Sequence, residues 1–149
     1  MTRVFTEGFE MQDFVGAFTS GTLSISTVQK HGGAASLYIR HVSATWIRYL
    51  EPSEQPVGSE IFLRFYVRPG VLTSYIELRN NTTVLLKVLI TTGAVAQMIC
   101  NGTTKSGSTT MNANTWYMVE IHLDISNIGG SCEMKVNGGS VEASMYGDT

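Results

Sequence analysis

Charge is what this sequence has least of. Asp, Glu, Lys and Arg make up only 15% of its 149 residues, against about a quarter in an average soluble domain. Ten basic and twelve acidic residues leave a formal net charge of -2, which gives no basic footprint for nucleic acid. No run approaches the roughly 18 apolar residues that a membrane helix needs. The opening Met1-Thr2-Arg3-Val4-Phe5-Thr6-Glu7 lacks the apolar core and small-residue cleavage site of a signal peptide. The expectation is a protein made and kept in the cytoplasm of its producer. Sequons at Asn80, Asn81 and Asn101 carry little weight without a secretion signal. Cys100 and Cys132 are the only cysteines, each inside an apolar strand pattern. They read as two reduced, buried thiols, with a disulfide open if their strands are neighbours.

Hydrophobic residues, by contrast, reach 43%, and their dominant period is two. Across Glu60 to Pro69, Ile61, Leu63, Phe65 and Val67 share one face, while Phe62, Arg64, Tyr66 and Arg68 take the other. That alternation predicts a strand with one core face and one wetter face. Trp116 to Ser126 repeats it, with Tyr117, Val119, Ile121, Leu123 and Ile125 opposite Trp116, Met118, Glu120, His122 and Asp124. Ser131 to Val136 follows, then Asn137-Gly138, a strong hairpin signal because both residues accept positive φ. A last strand falls near Ser140 to Met145. Further strands fit Thr22–Val28, Ala35–His41, Ala44–Leu50, Tyr75–Arg79, Val84–Ile90 and Val95–Cys100. Val84 to Ile90 is nearly continuous in apolar residues, as a strand covered on both faces would be. Many short strands at near-regular spacing predict an all-β, two-sheet antiparallel sandwich. One domain over 1–149 is of ordinary size and buries roughly 70% of the unfolded surface.

The order of these elements resembles the concanavalin A-like lectin/glucanase superfamily, including laminin G-like and phage-encoded jelly rolls. The stretches that carry the resemblance are Glu7-Gly8-Phe9-Glu10, Gly33-Ala34-Ala35-Ser36-Leu37, Thr115-Trp116-Tyr117-Met118-Val119-Glu120-Ile121 and Glu133-Met134-Lys135-Val136-Asn137-Gly138. The resemblance implies a jelly roll, and it implies lectin, hydrolase or structural roles alike. Members commonly add a strand after the region matching Tyr146-Gly147-Asp148-Thr149. The sequence stops there, which leaves three readings: the strand is dispensable, the sequence is a fragment, or a neighbouring subunit covers the exposed edge. An uncovered edge invites pairing, so a homo-oligomer is the expectation.

Glu120, His122 and Asp124 project from one face of their strand, about 7 Å apart in succession. Glycosidases of this fold place Glu-x-Asp-x-Glu there. His122 in the middle and the shorter Asp124 spoil the carboxyl pair that retention needs, so a plain polar outer face is the reading. The same three residues are too spread for one metal ion. Calcium in loops would have only Asp13 and Asp148 to use, in no dense acidic cluster. No nucleophile elbow, phosphate loop or cysteine–histidine arrangement is present, and no cofactor or metal is expected. What remains is an aromatic–arginine face: Trp46, Arg48, Phe62, Arg64, Tyr66 and Arg68, with Tyr38 and Arg40 nearby in the pattern. Such a face suits sugar rings or a protein interface, or consists of arginine stems covering aromatics.

The expectation is therefore a non-enzymatic virion structural protein, a capsid decoration or tail-associated module working through surface contacts. Its partners would be copies of itself and other virion proteins, with no nucleic acid and no membrane. A carbohydrate-binding module for cell-surface glycans is the first alternative. A glycan hydrolase using Glu120 is the second.

Overall fold

The computed structural model describes residues 17–20, 23–26, 28, 36–39, 46–49, 60–70, 73–80, 83–124 and 129–147. The chain divides into two compact units, Met1–Pro56 and Val57–Thr149. The first holds β1 (Ala17–Ser20), β2 (Leu23–Ser26), β3 (Ser36–Ile39) and β4 (Trp46–Tyr49). There β1 pairs with β4 and β2 with β3, both antiparallel.

The second unit holds β5 (Glu60–Val67), β6 (Ser74–Asn80), β7 (Thr83–Ile90), β8 (Val95–Cys100), β9 (Thr103–Thr110), β10 (Tyr117–Asp124), β11 (Ser131–Val136) and β12 (Val141–Tyr146). They form two antiparallel four-stranded sheets, ordered β6-β7-β8-β9 and β12-β11-β10-β5. Among the described residues there is no helix. The architecture is an all-β sandwich.

One core joins the two sheets, and it forms because each strand alternates. Leu86, Val88 and Ile90 of β7 and Ala96 and Met98 of β8 meet Val119, Ile121 and Leu123 of β10 and Cys132, Met134 and Val136 of β11. Ile61, Leu63, Phe65 and Val67 of β5 pack against this cluster half-buried, on the face expected for them. Four methionines, Met98, Met111, Met134 and Met145, are buried in it. Unbranched and polarisable, they fill irregular gaps between the sheets. Asn101-Gly102 and Asn137-Gly138 all have positive φ (44°, 74°, 54° and 70°) and close the β8–β9 and β11–β12 hairpins, as Asn-Gly turns do. The buried Tyr117 hydroxyl accepts from Asn112 N (2.8 Å) and donates to Thr110 O (3.1 Å), which fixes the chain as it crosses from β9 to β10.

Two sequence expectations need correction. Strand β7 is fully buried on one face and only partly covered on the other: Leu86, Val88 and Ile90 are buried, whereas Leu85, Lys87 and Leu89 are half-buried. Lys87 sets that second face, its Nζ lying 3.9 Å from the Tyr75 ring centroid and 3.4 Å from Glu77 Oε1. Strand β9, Thr-Thr-Lys-Ser-Gly-Ser-Thr-Thr, is a full eight-residue edge strand, although its apolar pattern gave no sign of one.

Candidate functional site

The polar face of the β12-β11-β10-β5 sheet is a ruled array, because antiparallel register places every second residue side by side. Arg64, Glu120 and Lys135 form one row; Phe62, His122, Glu133 and Ser144 form the next; Glu60, Asp124, Ser131 and Tyr146 form the third. Met118 lies opposite Tyr66 in a further row.

Opposite charges meet within these rows. Arg64 donates from Nε (2.9 Å) and Nη2 (2.6 Å) to one oxygen of Glu120. The Arg64 side chain is nevertheless 65% exposed, so its far side faces solvent. Phe62 and His122 stack with centroids 4.3 Å apart and planes 5° from parallel. His122 sits between two carboxylates, with Nε2 3.8 Å from Glu60 and Nδ1 3.8 Å from Glu133. Both distances are too long for hydrogen bonds, and Nε2 is buried without a hydrogen-bond partner. Tyr146 Oη donates to Glu133 at 3.4 Å.

The structure brings together three of the six residues expected to bind. Phe62, Arg64 and Tyr66 stand in line on β5, with Phe62 49% and Tyr66 46% exposed. Successive positions on one face of a strand are about 7 Å apart, so the two rings flank the guanidinium. Arg68 is committed elsewhere: its Nε donates to Asn114 O (3.1 Å), and Asn114 N donates to Pro69 O (2.9 Å), which fastens the 112–116 loop to the end of β5. Trp46 and Arg48 belong to β4 in the first unit, opposite Ser20 and Phe18; their side chains lie outside the described residues, as do Arg40, Asp13 and Asp148. Among the described residues, no group of three His, Cys, Asp or Glu is placed to hold a metal ion. No helix among them is long and apolar enough to cross a membrane.

Sequence reasoning missed the role of Glu142. The pairing of Lys135 with Val141 and of Met134 with Ala143 leaves Glu142 as an extra residue in β12. Strand β9 is irregular too, since Gln97 pairs with Ser106 but Val95 with Thr110. Such bulges leave backbone groups without ladder partners and re-aim side chains. Glu142 Oε2 accepts from Ser108 N and Thr109 N, both at 2.9 Å, and Oε1 accepts from the Thr109 hydroxyl. The carboxylate therefore bridges the edges of the two sheets. Burial raises its pKa, but the bonds from Thr109 and Ser108 outweigh that and hold it below the ordinary 4.5. Gly107 makes room: a Cβ there would lie 2.8 Å from Glu142 Oε2 and 3.2 Å from Met134 Cε.

Comparison with protein-family models, with curated proteins and with solved structures finds no match to this chain.

Proposed function

We propose that this chain is a non-enzymatic jelly-roll module, a structural component of a virus particle, which works by presenting the β5–β10 outer face to further copies of itself. The observation that carries this reading is the arrangement of that face. Exposed Phe62 and Tyr66 flank an exposed guanidinium, and cationic Arg64 and Lys135 stand among Glu60, Glu120, Asp124 and Glu133. Aromatics and arginine are the residues that interfaces favour, and a face carrying both signs can complement a second copy of itself. The concanavalin A-like resemblance, with its phage-encoded members, supplies the virion context. Hydrolysis by Glu120 is disfavoured by its ion pair: its oxygen accepts two bonds from Arg64, whereas a nucleophile must be presented to substrate.

A second reading has its own observation. Two exposed rings about 14 Å apart on one strand, with a hydrogen-bonding fork between them, also suit stacking on an extended glycan. Light scattering of the purified chain, alongside a glycan array, separates the two. Assembly into a trimer or larger, lost in Phe62→Ala/Tyr66→Ala, supports the structural module. A monomer whose array signal vanishes in the same variant overturns it for the glycan-binding module.

A further inference from the structure

The charges of the β5–β10 outer face are unevenly matched. Arg64 is bonded to Glu120, and Lys135 stands opposite Glu120 on β11, so both cations lie in one row. Glu60 of β5 and Glu133 of β11, in the two following rows, meet no basic side chain but His122 among the described residues. Glu60 also stands opposite Asp124, a like-charge pair that is unfavourable on a sheet face. The other oxygen of Glu133 accepts from the Tyr146 hydroxyl.

A neutral imidazole has one N–H and one lone pair, and an ionised carboxylate only accepts. His122 turns Nε2 to Glu60 and Nδ1 to Glu133, each 3.8 Å away. Whichever nitrogen carries the proton, the other presents a lone pair to a carboxylate. Nε2 is buried and has no hydrogen-bond partner. A second proton removes the conflict, because both nitrogens then donate. Each carboxylate needs to approach by only about 1 Å to reach a charge-assisted bond, and Glu60 is exposed, which leaves its side chain room to swing. The Phe62 ring, stacked on the imidazole at 4.3 Å, would then lie against a cation.

We propose that His122 is the pH-sensing residue of this face. Charged, it clasps Glu60 and Glu133 across β10 and ties the outer faces of β5, β10 and β11 together; neutral, it lets them part. Glu60, Glu120, Asp124 and Glu133 stand here against Arg64 and Lys135, so the face is net acidic and a charged His122 halves the excess. Two such faces repel each other less, and Phe62, one of the two exposed rings, is held by the imidazolium. Imidazole changes its charge between about pH 5 and pH 8, so copies of the chain associate more tightly as pH falls through that range. This consequence rests on the reading that the face binds further copies; the clasp itself does not.

The test titrates the isotopically labelled full chain from about pH 8 to about pH 5.5 at constant ionic strength. NMR follows the His122 ring nitrogens and the side-chain carboxyl carbons of Glu60 and Glu133, and light scattering follows the mass in solution. Both carboxyl resonances should move with the His122 ring, and should move far less over the same range in His122→Gln. The concentration at which the wild type assembles should fall about tenfold, and that of His122→Gln should not change. Glu60→Gln, at an exposed position, removes one arm of the clasp and should weaken the pH response without touching the imidazole. Carboxyl resonances that ignore the charge on His122 would overturn the proposal, whether or not the chain assembles. Resonances that follow His122 in a chain that stays monomeric throughout would uphold the clasp and overturn the reading of the face as a self-contact. An assembly whose pH response survives His122→Gln would take the sensing role from His122.

Discussion

Replacing Glu142 should weaken the sandwich by more than a half-exposed carboxylate ordinarily would. Its side chain accepts three hydrogen bonds from β9, two of them from backbone N–H groups that the irregular β8–β9 ladder leaves without partners. A bond to a charged group contributes about 1.5–3 kcal/mol when the partner is left stranded. Ser108 is exposed and Thr109 half-buried, so water replaces part of what is lost. A net cost of about 2 kcal/mol for Glu142→Ala and about 1 for Glu142→Gln follows. With a urea slope of about 2 kcal/mol/M, these become midpoint drops of about 1 M and about 0.5 M. The pH dependence has a definite sign. The carboxyl is held below its ordinary 4.5 in the fold, so its contribution is fully present above that value and is lost as pH falls through the lower, folded pKa. The gap between wild type and Glu142→Gln should therefore close with acid. Gly107→Ala puts a methyl against the same oxygen and should cost less in a Glu142→Ala background than in the wild type, a coupling expected of groups in contact. A midpoint drop below about 0.3 M for Glu142→Ala, or a gap to Glu142→Gln that widens in acid, would refute this account of the bulge.

Three other substitutions probe different parts of the structure. Leu123→Ala, at 0% exposure in the shared core, should cost about 2–5 kcal/mol by chemical denaturation; a loss under 1 would mean that the sheets do not pack as described. Asn137→Ala should cost about 2 kcal/mol, since it removes the acceptor of Met118 N (3.0 Å) and places alanine at φ 54°. Arg64→Ala should change stability by less than about 1 kcal/mol, as exposed ion pairs do, while weakening self-association; the reverse pattern would move Arg64 from the binding face to the scaffold.

What the sequence disclosed and what it hid divide along physical lines. Strands β5, β10 and β11 were legible because each has one buried and one wetter face, and the alternation survives in the side chains. Strand β9 was not, because an edge strand of Thr, Ser and Lys buries too little to leave an apolar pattern; only its β-branched threonines and the interior Gly107, a bulge signal, hinted at it. The continuous run in β7 misled because Leu85 and Leu89 are apolar without being fully buried. In the site, Phe62, Arg64 and Tyr66 could be placed on one face from their spacing alone. Their partners His122 and Glu120 could not, because cross-strand register depends on which strands become neighbours. Glu142 depends on a contact between sheets, where local pattern is silent.

The central claim is that the β5–β10 outer face binds further copies of this chain. It is tested most directly by the mass of the purified protein in solution, measured by light scattering for the wild type and for Phe62→Ala/Tyr66→Ala. The account predicts a stable trimer or larger for the wild type, and a folded monomer for the variant. A wild type that stays monomeric, or an assembly that survives loss of both rings, would contradict it.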